Sequence, residues 1–305
     1  MIHYIFIILA VVCFAGQFAF TKIYGKTVEE TAVTTIVMLI VTSAFGALLY
    51  LLVGGFRLQF TAWATVLAIC LAVIMIPYYM LGIKVLSLGS LAVYSMFMML
   101  GGMLVPFFYG AFFLNESISV AQMIGTVLLS LFIILQAVWQ DNGGGAKKDG
   151  QAKGGRYLFF ALCIAVFFIN GFTGVIAKAH QISENAVDEI SFTVISCGFT
   201  ALFSAFMLPI YSIKNRSEAK RQAFSTLKKK PFIAMLLVGA AAYTGSFLHL
   251  KAAAAIPASV QFPLVSGGVI VLSAFVSQFI FREKLSKKEW ISVAGAFAST
   301  VLYAF

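Results

Sequence analysis

The chain alternates long apolar stretches with short polar connections. Its charged residues bracket uncharged intervals of 20 residues or more, as between Arg57 and Lys84 or between Lys230 and Lys251. A helix needs about 20 residues to cross the roughly 30 Å hydrocarbon core of a bilayer. We therefore predict an all-α membrane protein of ten transmembrane helices, at residues 3–21, 32–53, 62–83, 89–113, 120–139, 157–178, 188–211, 232–252, 258–281 and 287–305.

The composition excludes an ordinary soluble domain. Of the 305 residues, 61% are hydrophobic and 10% are charged, against about half and about a quarter in a typical globular domain. The net charge of +10 does not indicate a nucleic-acid partner, because the Lys and Arg residues lie in short loops without interleaved stacking aromatics. The four cysteines have no CxxC spacing, so we predict no metal site, and we expect no cofactor.

Several features recur at one fixed offset along the chain. The interval from Lys84 to Lys251 equals the interval from Glu116 to Glu283. The same offset relates two predicted capping boxes, which begin the fifth and tenth helices: Ser119 with Gln122, and Ser286 with Glu289. A capping box satisfies the free N–H groups at a helix start. This repeat offset therefore indicates an internal repeat.

The repeat predicts two halves of five helices, at residues 1–139 and 157–305. A flexible linker, 140–156, joins them and contains three consecutive glycines. Five helices per half invert the second half in the membrane. The odd-numbered loops hold 18 of the 21 Lys and Arg residues, seven of them in the long connection 212–231. By the positive-inside rule these loops face the cytoplasm, so we predict a multi-pass protein of the cell membrane with both termini outside.

Two segments resemble EamA-type transporters of the drug/metabolite transporter superfamily. They are Asn115 to Gly125, preceded by Pro106, and Phe281 to Ile291. The family pattern is an apolar helix, a Glu, a short Ser-bearing turn and a further helix. The stretch from Phe14 to Lys22 is similar to the Trp-Gly…Lys start of the family, with the Trp missing. The resemblance implies ten helices in two inverted five-helix repeats, a central cavity and transport of metabolites such as amino acids, nucleotides or sugars.

Polar and aromatic side chains within the predicted helices are candidates for substrate binding. Inverted-repeat carriers bind substrate near the bilayer midplane, and polar groups at that depth need partners. The candidates are Gln17, Tyr78, Tyr79, Tyr94, Asn170, Tyr243, His249, Gln261 and Ser266. Gln17 and Asn170 stand at corresponding depths of the two halves and form the preferred pair. Interhelical polar packing is the alternative for both, and interface anchoring or packing is the alternative for the tyrosines.

Glu116 and Glu283 could carry protons, but each lies beside a capping box at a helix end. There the helix dipole and water stabilise a carboxylate, so we predict structural caps formed by Glu116, Ser119, Gln122, Glu283, Ser286 and Glu289. No Asp or Glu lies deep inside a predicted helix. The sequence therefore gives no direct support for proton coupling.

The leading hypothesis is a carrier that moves a small metabolite by alternating access, with export favoured by the family resemblance. Its expected partners are the substrate and membrane lipid, and the oligomeric state, a homodimer included, stays open. We expect no enzyme and no catalytic residue, since the spans contain no HExxH motif and no paired carboxylates at helical spacing. A membrane-embedded enzyme, a channel and a scaffold that does not transport remain alternatives.

Overall fold

The computed structural model describes residues 2–115, 118–139, 153–213, 216–253 and 258–302. This part of the chain is helical and contains no strand. Its helices are α1 (Ile2–Thr27), α2 (Ala32–Val53), α3 (Ala62–Leu88), α4 (Leu91–Phe113), α5 (Val120–Trp139), α6 (Lys153–Gln181), α7 (Glu189–Ser212), α8 (Arg216–Thr226), α9 (Lys229–Ala253), α10 (Ala258–Phe279) and α11 (Lys287–Val301).

Seven of these helices, α1 to α4, α6, α7 and α9, are long and apolar enough to cross a membrane. Two further helices contain shorter apolar runs, Val120–Leu135 in α5 and Leu264–Phe279 in α10. Many large apolar side chains on these helices are exposed, as expected for surfaces that face lipid rather than water. The chain thus has the architecture and composition of a helical integral membrane protein.

The structure differs from the sequence prediction at several connections. The connection 212–231 contains the additional helix α8. Helix α1 continues to Thr27 rather than ending at residue 21, because no proline or cluster of turn residues interrupts it. Helix α6 already includes Lys153, within the predicted linker. The remaining linker residues, 140–152, lie outside the described residues.

Short polar side chains begin several helices. The Ser90 hydroxyl accepts a hydrogen bond from the Val93 N–H, 3.2 Å away, at the start of α4. Thr31 and Thr34 form a capping box at the start of α2. Asp188 caps α7 through a backbone N–H at 2.9 Å. These contacts satisfy N–H groups that have no partner in the first turn of a helix.

The helices assemble into two compact units. The first contains Met1–Ala19, Leu88–Phe172 and Thr244–Phe305, and the second contains Phe20–Ser87 and Thr173–Tyr243. Helices α1, α6 and α9 each contribute one end to each unit. Both units draw on both predicted halves of the chain, whose boundaries stay a prediction.

The first unit has its core where α4 and α5 meet α10 and α11. Five side chains at its centre are fully or nearly fully buried: Met96, Leu100, Leu129, Ile270 and Val293. In the second unit α2 packs along α7, and two smaller clusters form. One contains Ala68 and Phe192, and the other contains Tyr24 and Met235.

The repeat offset reappears in the backbone. It separates the start of α3 from that of α9, and the start of α5 from that of α11. Asn115 and Arg282, which the same offset relates, both adopt the left-handed conformation, with φ of 52° and 56°. This conformation is uncommon outside glycine. Two distant turns therefore share an unusual local geometry at equivalent positions of the predicted repeat.

Candidate functional site

The nine candidate binding residues divide between the two units. The first unit holds Gln17, Tyr94, Asn170, His249, Gln261 and Ser266, and the second holds Tyr78, Tyr79 and Tyr243. Both groups lie on apolar helices.

Asn170 lies where α6 crosses α4. Its Nδ2 donates a 2.6 Å hydrogen bond to the backbone carbonyl of Met98. The helices approach closely here, because a Cβ added at Gly101 would lie 2.1 Å from the Phe167 carbonyl oxygen and one at Gly102 would lie 2.6 Å from Asn170 Nδ2. Small residues that admit a neighbouring backbone are typical of helix contacts in membranes. These contacts favour a packing role for Asn170 over substrate binding.

Gln17 of α1 and Tyr94 of α4 are buried in the first unit. Gln17 is 9% exposed and Tyr94 is 3% exposed. The neighbour of Gln17 on α1, Phe18, packs edge-to-face on the Tyr94 ring, with centroids 5.3 Å apart. Aromatic pairs prefer this geometry, so the contact positions α1 against α4. The structure thus places Gln17 and Tyr94 among buried residues, and their role in substrate binding stays a prediction.

His249 and Gln261 connect α9 to α10. The Gln261 Nε2 donates to the backbone carbonyl of His249, near the end of α9. The His249 ring packs edge-on against Phe14 of α1, with centroids 6.2 Å apart. Ser266 is also buried on α10. Helices α1 and α10 thus both contact α9 at His249.

Tyr243 occupies a glycine gap in the second unit. A Cβ added at Gly46 would lie 2.4 Å from the Tyr243 ring, so the ring fits against α2 only because residue 46 has no side chain. The Tyr243 hydroxyl shares hydrogen bonds with Ser43 and Cys197. The Tyr50 hydroxyl donates to the Tyr243 carbonyl at 3.4 Å. These contacts tie α9 to α2 and α7.

Tyr78 and Tyr79 are consecutive on α3 and pack edge-to-face, with ring centroids 5.1 Å apart. Tyr79 also packs against the cluster that contains Tyr24 and Met235. The Tyr24 hydroxyl donates a 2.6 Å hydrogen bond to the Thr34 carbonyl. The region is therefore rich in aromatic rings, which in a binding pocket supply an apolar surface with a few polar groups.

The predicted caps do not all stabilise the helix that follows them in the chain. Ser286 and Glu289 form a capping box at the start of α11, and Ser119 and Gln122 make the equivalent pair of contacts at the start of α5, both at 3.1 Å. Glu283 instead caps α4. Its carboxylate accepts from the Leu91 N–H at 3.0 Å and from the Ser277 hydroxyl. Glu116 lies outside the described residues.

Lys22 is absent from the binding candidates that the sequence predicts, although it ends the stretch that resembles the start of the family pattern. This lysine is only 4% exposed, although it lies beyond the end of the first predicted helix. In α1 it follows the buried Phe18 by four residues, which puts both on one helix face. Extending the helical pattern to Thr27 would have shown a cation on the buried face of a span, where ionisable groups mark functional sites.

The chain is similar to known proteins in its fold only. No family model matches the chain, and no curated protein matches it. Among solved structures 23 chains match. One of them, a crystal structure of a protein, is 14% identical, with a TM-score of 0.55 over 98% of this chain and 95% of that chain. The likeness covers both chains almost completely, and at this identity it shows the fold alone.

Proposed function

We propose that the chain is a carrier that moves a small metabolite across the cell membrane by alternating access. In this proposal ten spans form two inverted five-helix repeats, as in the EamA-type transporters that the sequence resembles. The observation that carries the proposal is the fixed offset that relates the two predicted halves. Carriers of this architecture commonly consist of inverted repeats, which rock against one another around a fixed substrate site.

Helix packing supports the repeat. Within the first unit α4 packs along α10, and α5 packs along α11, so each helix contacts its own predicted equivalent. Within the second unit the same holds for α2 and α7. A gene-duplicated fold with a two-fold axis between its halves produces such pairs, because residues on the axis meet their own equivalents.

Two close contacts at glycines also relate the two predicted halves. Gly101 of α4 meets Phe167 of α6, the first helix of the second half. Gly268, which the repeat offset relates to Gly101, is on α10 and meets Val11 of α1, the first helix of the first half. The fourth helix of each predicted half thus contacts the first helix of the other, and this reciprocal contact supports the proposed two-fold relation.

The substrate class follows from the side chains. Gln17 supplies an amide, Ser266 a hydroxyl, and Tyr94 a hydroxyl on an apolar ring, and all three side chains are buried. Such groups bind neutral hydrogen-bonding ligands with an apolar part. We therefore propose a small polar or amphipathic metabolite as the substrate, and export as the direction, because the resemblance to EamA-type proteins favours it.

Metabolite profiling of cells with and without the expressed protein tests the proposal. Export of the substrate lowers its internal pool and raises its external pool. Gln17→Ala should reduce this shift at unchanged protein level, whereas Gln181→Ala, at the exposed end of α6, should leave it intact. If Gln17→Ala and Gln181→Ala behave alike while the native chain exports a compound, the assignment of Gln17 to the substrate site is wrong.

A further inference from the structure

A cleft of about 620 Å³ lies between the end of α7 and the first turns of α8. Small and apolar residues of both helices form most of its wall: Ala205, Leu208, Pro209, Ile213, Ala219 and Ala223. Two cationic side chains, Arg216 and Lys220, line the same cleft. An apolar wall thus adjoins two positive charges.

Helix α8 is short and polar and carries cations on its exposed face. With 11 residues it is about half the length that crosses a bilayer. Ala219, Gln222 and Thr226 form its buried face, which packs against α2 and α7. Arg216 and Lys220 lie one helical turn apart, and Phe224, which is 66% exposed, follows one turn later. The exposed face therefore combines cations with an aromatic ring, as in helices that lie at a membrane surface.

The charges of the cleft are available to a ligand. Within the described part of the chain, neither Arg216 nor Lys220 forms an ion pair with a carboxylate. Arg221, on another face of α8, lines a separate cleft and lies 3.4 Å from a Glu29 carboxylate oxygen. Of the three cations on α8, the two that form no such ion pair are thus the two that adjoin the apolar wall.

An anionic phospholipid would complement both the two cations and the apolar wall of the cleft. An anionic headgroup neutralises Arg216 and Lys220, and the guanidinium can donate two parallel hydrogen bonds to a phosphate. The glycerol and upper acyl region would cover the apolar wall, which a soluble anion would leave in contact with water. The wall belongs to the end of a spanning helix, and the connection from Ser212 to Lys230 carries seven Lys and Arg residues. Basic segments beside spanning helices attract anionic leaflets.

We propose that the cleft between α7 and α8 is a binding site for one anionic phospholipid, held by Arg216 and Lys220. Each cation near an anionic membrane surface strengthens binding by about fivefold, so removing both weakens it about 25-fold.

Native mass spectrometry of the purified full-length chain, titrated with phosphatidylglycerol or phosphatidylcholine, tests the proposal. The native chain should bind one phosphatidylglycerol in preference to phosphatidylcholine. Arg216→Gln with Lys220→Gln should weaken phosphatidylglycerol binding about 25-fold on the same argument. The control is Lys287→Gln with Lys288→Gln, which removes two exposed charges at the start of α11 and should leave binding unchanged. Thermal unfolding checks that all variants are folded.

A third variant tests whether the lipid binds in the cleft or only responds to the positive charge of the surface. Ala223→Phe fills the cleft without changing the charge and should also weaken phosphatidylglycerol binding. Equal losses in the two double variants, no preference over phosphatidylcholine, or undiminished binding by folded Ala223→Phe would each overturn the proposal. Displacement of the lipid by inorganic phosphate at equal concentration would also overturn it, because the ligand would then be a soluble anion.

Discussion

Replacing Glu283 should destabilise the fold rather than abolish proton coupling. Its carboxylate accepts from the Leu91 N–H at 3.0 Å and from the Ser277 hydroxyl, so it links the end of α10 to the start of α4. A hydrogen bond to a charged group contributes about 1.5–3 kcal/mol, and a negative charge at a helix start contributes roughly 0.3–1 kcal/mol. Since these contributions overlap, we expect Glu283→Ala to cost about 2–4 kcal/mol.

Glu283→Gln should cost less, about 1–2 kcal/mol, because the amide keeps one acceptor oxygen but loses the charge. The assay is thermal unfolding in detergent, followed with a dye that reacts with thiols. Cys163 and Cys197 are buried, so they become reactive as the helices separate. Glu184→Ala, which removes an exposed carboxylate, is the matched control and should change stability by less than about 0.5 kcal/mol.

Two results would refute this reasoning. Equal melting temperatures for Glu283→Ala and Glu184→Ala would show that the carboxylate does not stabilise the start of α4. A Glu283→Gln variant with native stability but no transport, or transport without its native pH dependence, would instead indicate that this carboxylate carries a proton.

Four further substitutions test the helix contacts and one helix cap. Gly101→Ala should cost at least about 3 kcal/mol of stability or prevent folding, because its Cβ would lie 2.1 Å from the Phe167 carbonyl oxygen. Gly198→Ala should stabilise the fold by about 0.5–1 kcal/mol, because the added Cβ meets nothing within 4 Å. Denaturation in detergent measures both changes. Ser286→Ala removes the cap of α11 and should lower stability by about 1 kcal/mol, a cost that an unchanged melting temperature would contradict. Asn170→Ala loses the hydrogen bond to α4 and should reduce stability by about 1 kcal/mol, and an inactive variant of native stability would restore this residue to the substrate site.

The long helices could be predicted from the sequence because a bilayer imposes one dominant signal, the length of an uncharged interval. Caps were also visible, since Ser286 and Glu289 satisfy backbone groups only three residues away. Helix α8 gave no such signal. It is polar and short, and its buried face of Ala219, Gln222 and Thr226 becomes evident only when α2 and α7 lie against it.

The candidate site depends on contacts that a linear pattern does not contain. Glu283 caps a helix that begins 192 residues earlier, and the Asn170 amide meets a carbonyl 72 residues away. Amide and carboxylate side chains in a span can either bind substrate or join helices. The sequence identifies the residue type, whereas the partner that decides the role comes from the packing.

Counterflow in proteoliposomes tests the central claim most directly. Vesicles that contain the purified chain are loaded with a concentrated metabolite, and uptake of the same labelled compound is measured against vesicles without protein. An alternating-access carrier exposes its site to one side at a time, so we predict saturable uptake that the internal compound accelerates. Folded protein that moves no compound of a broad metabolite panel, or a flux that neither saturates nor responds to the internal compound, would contradict the account.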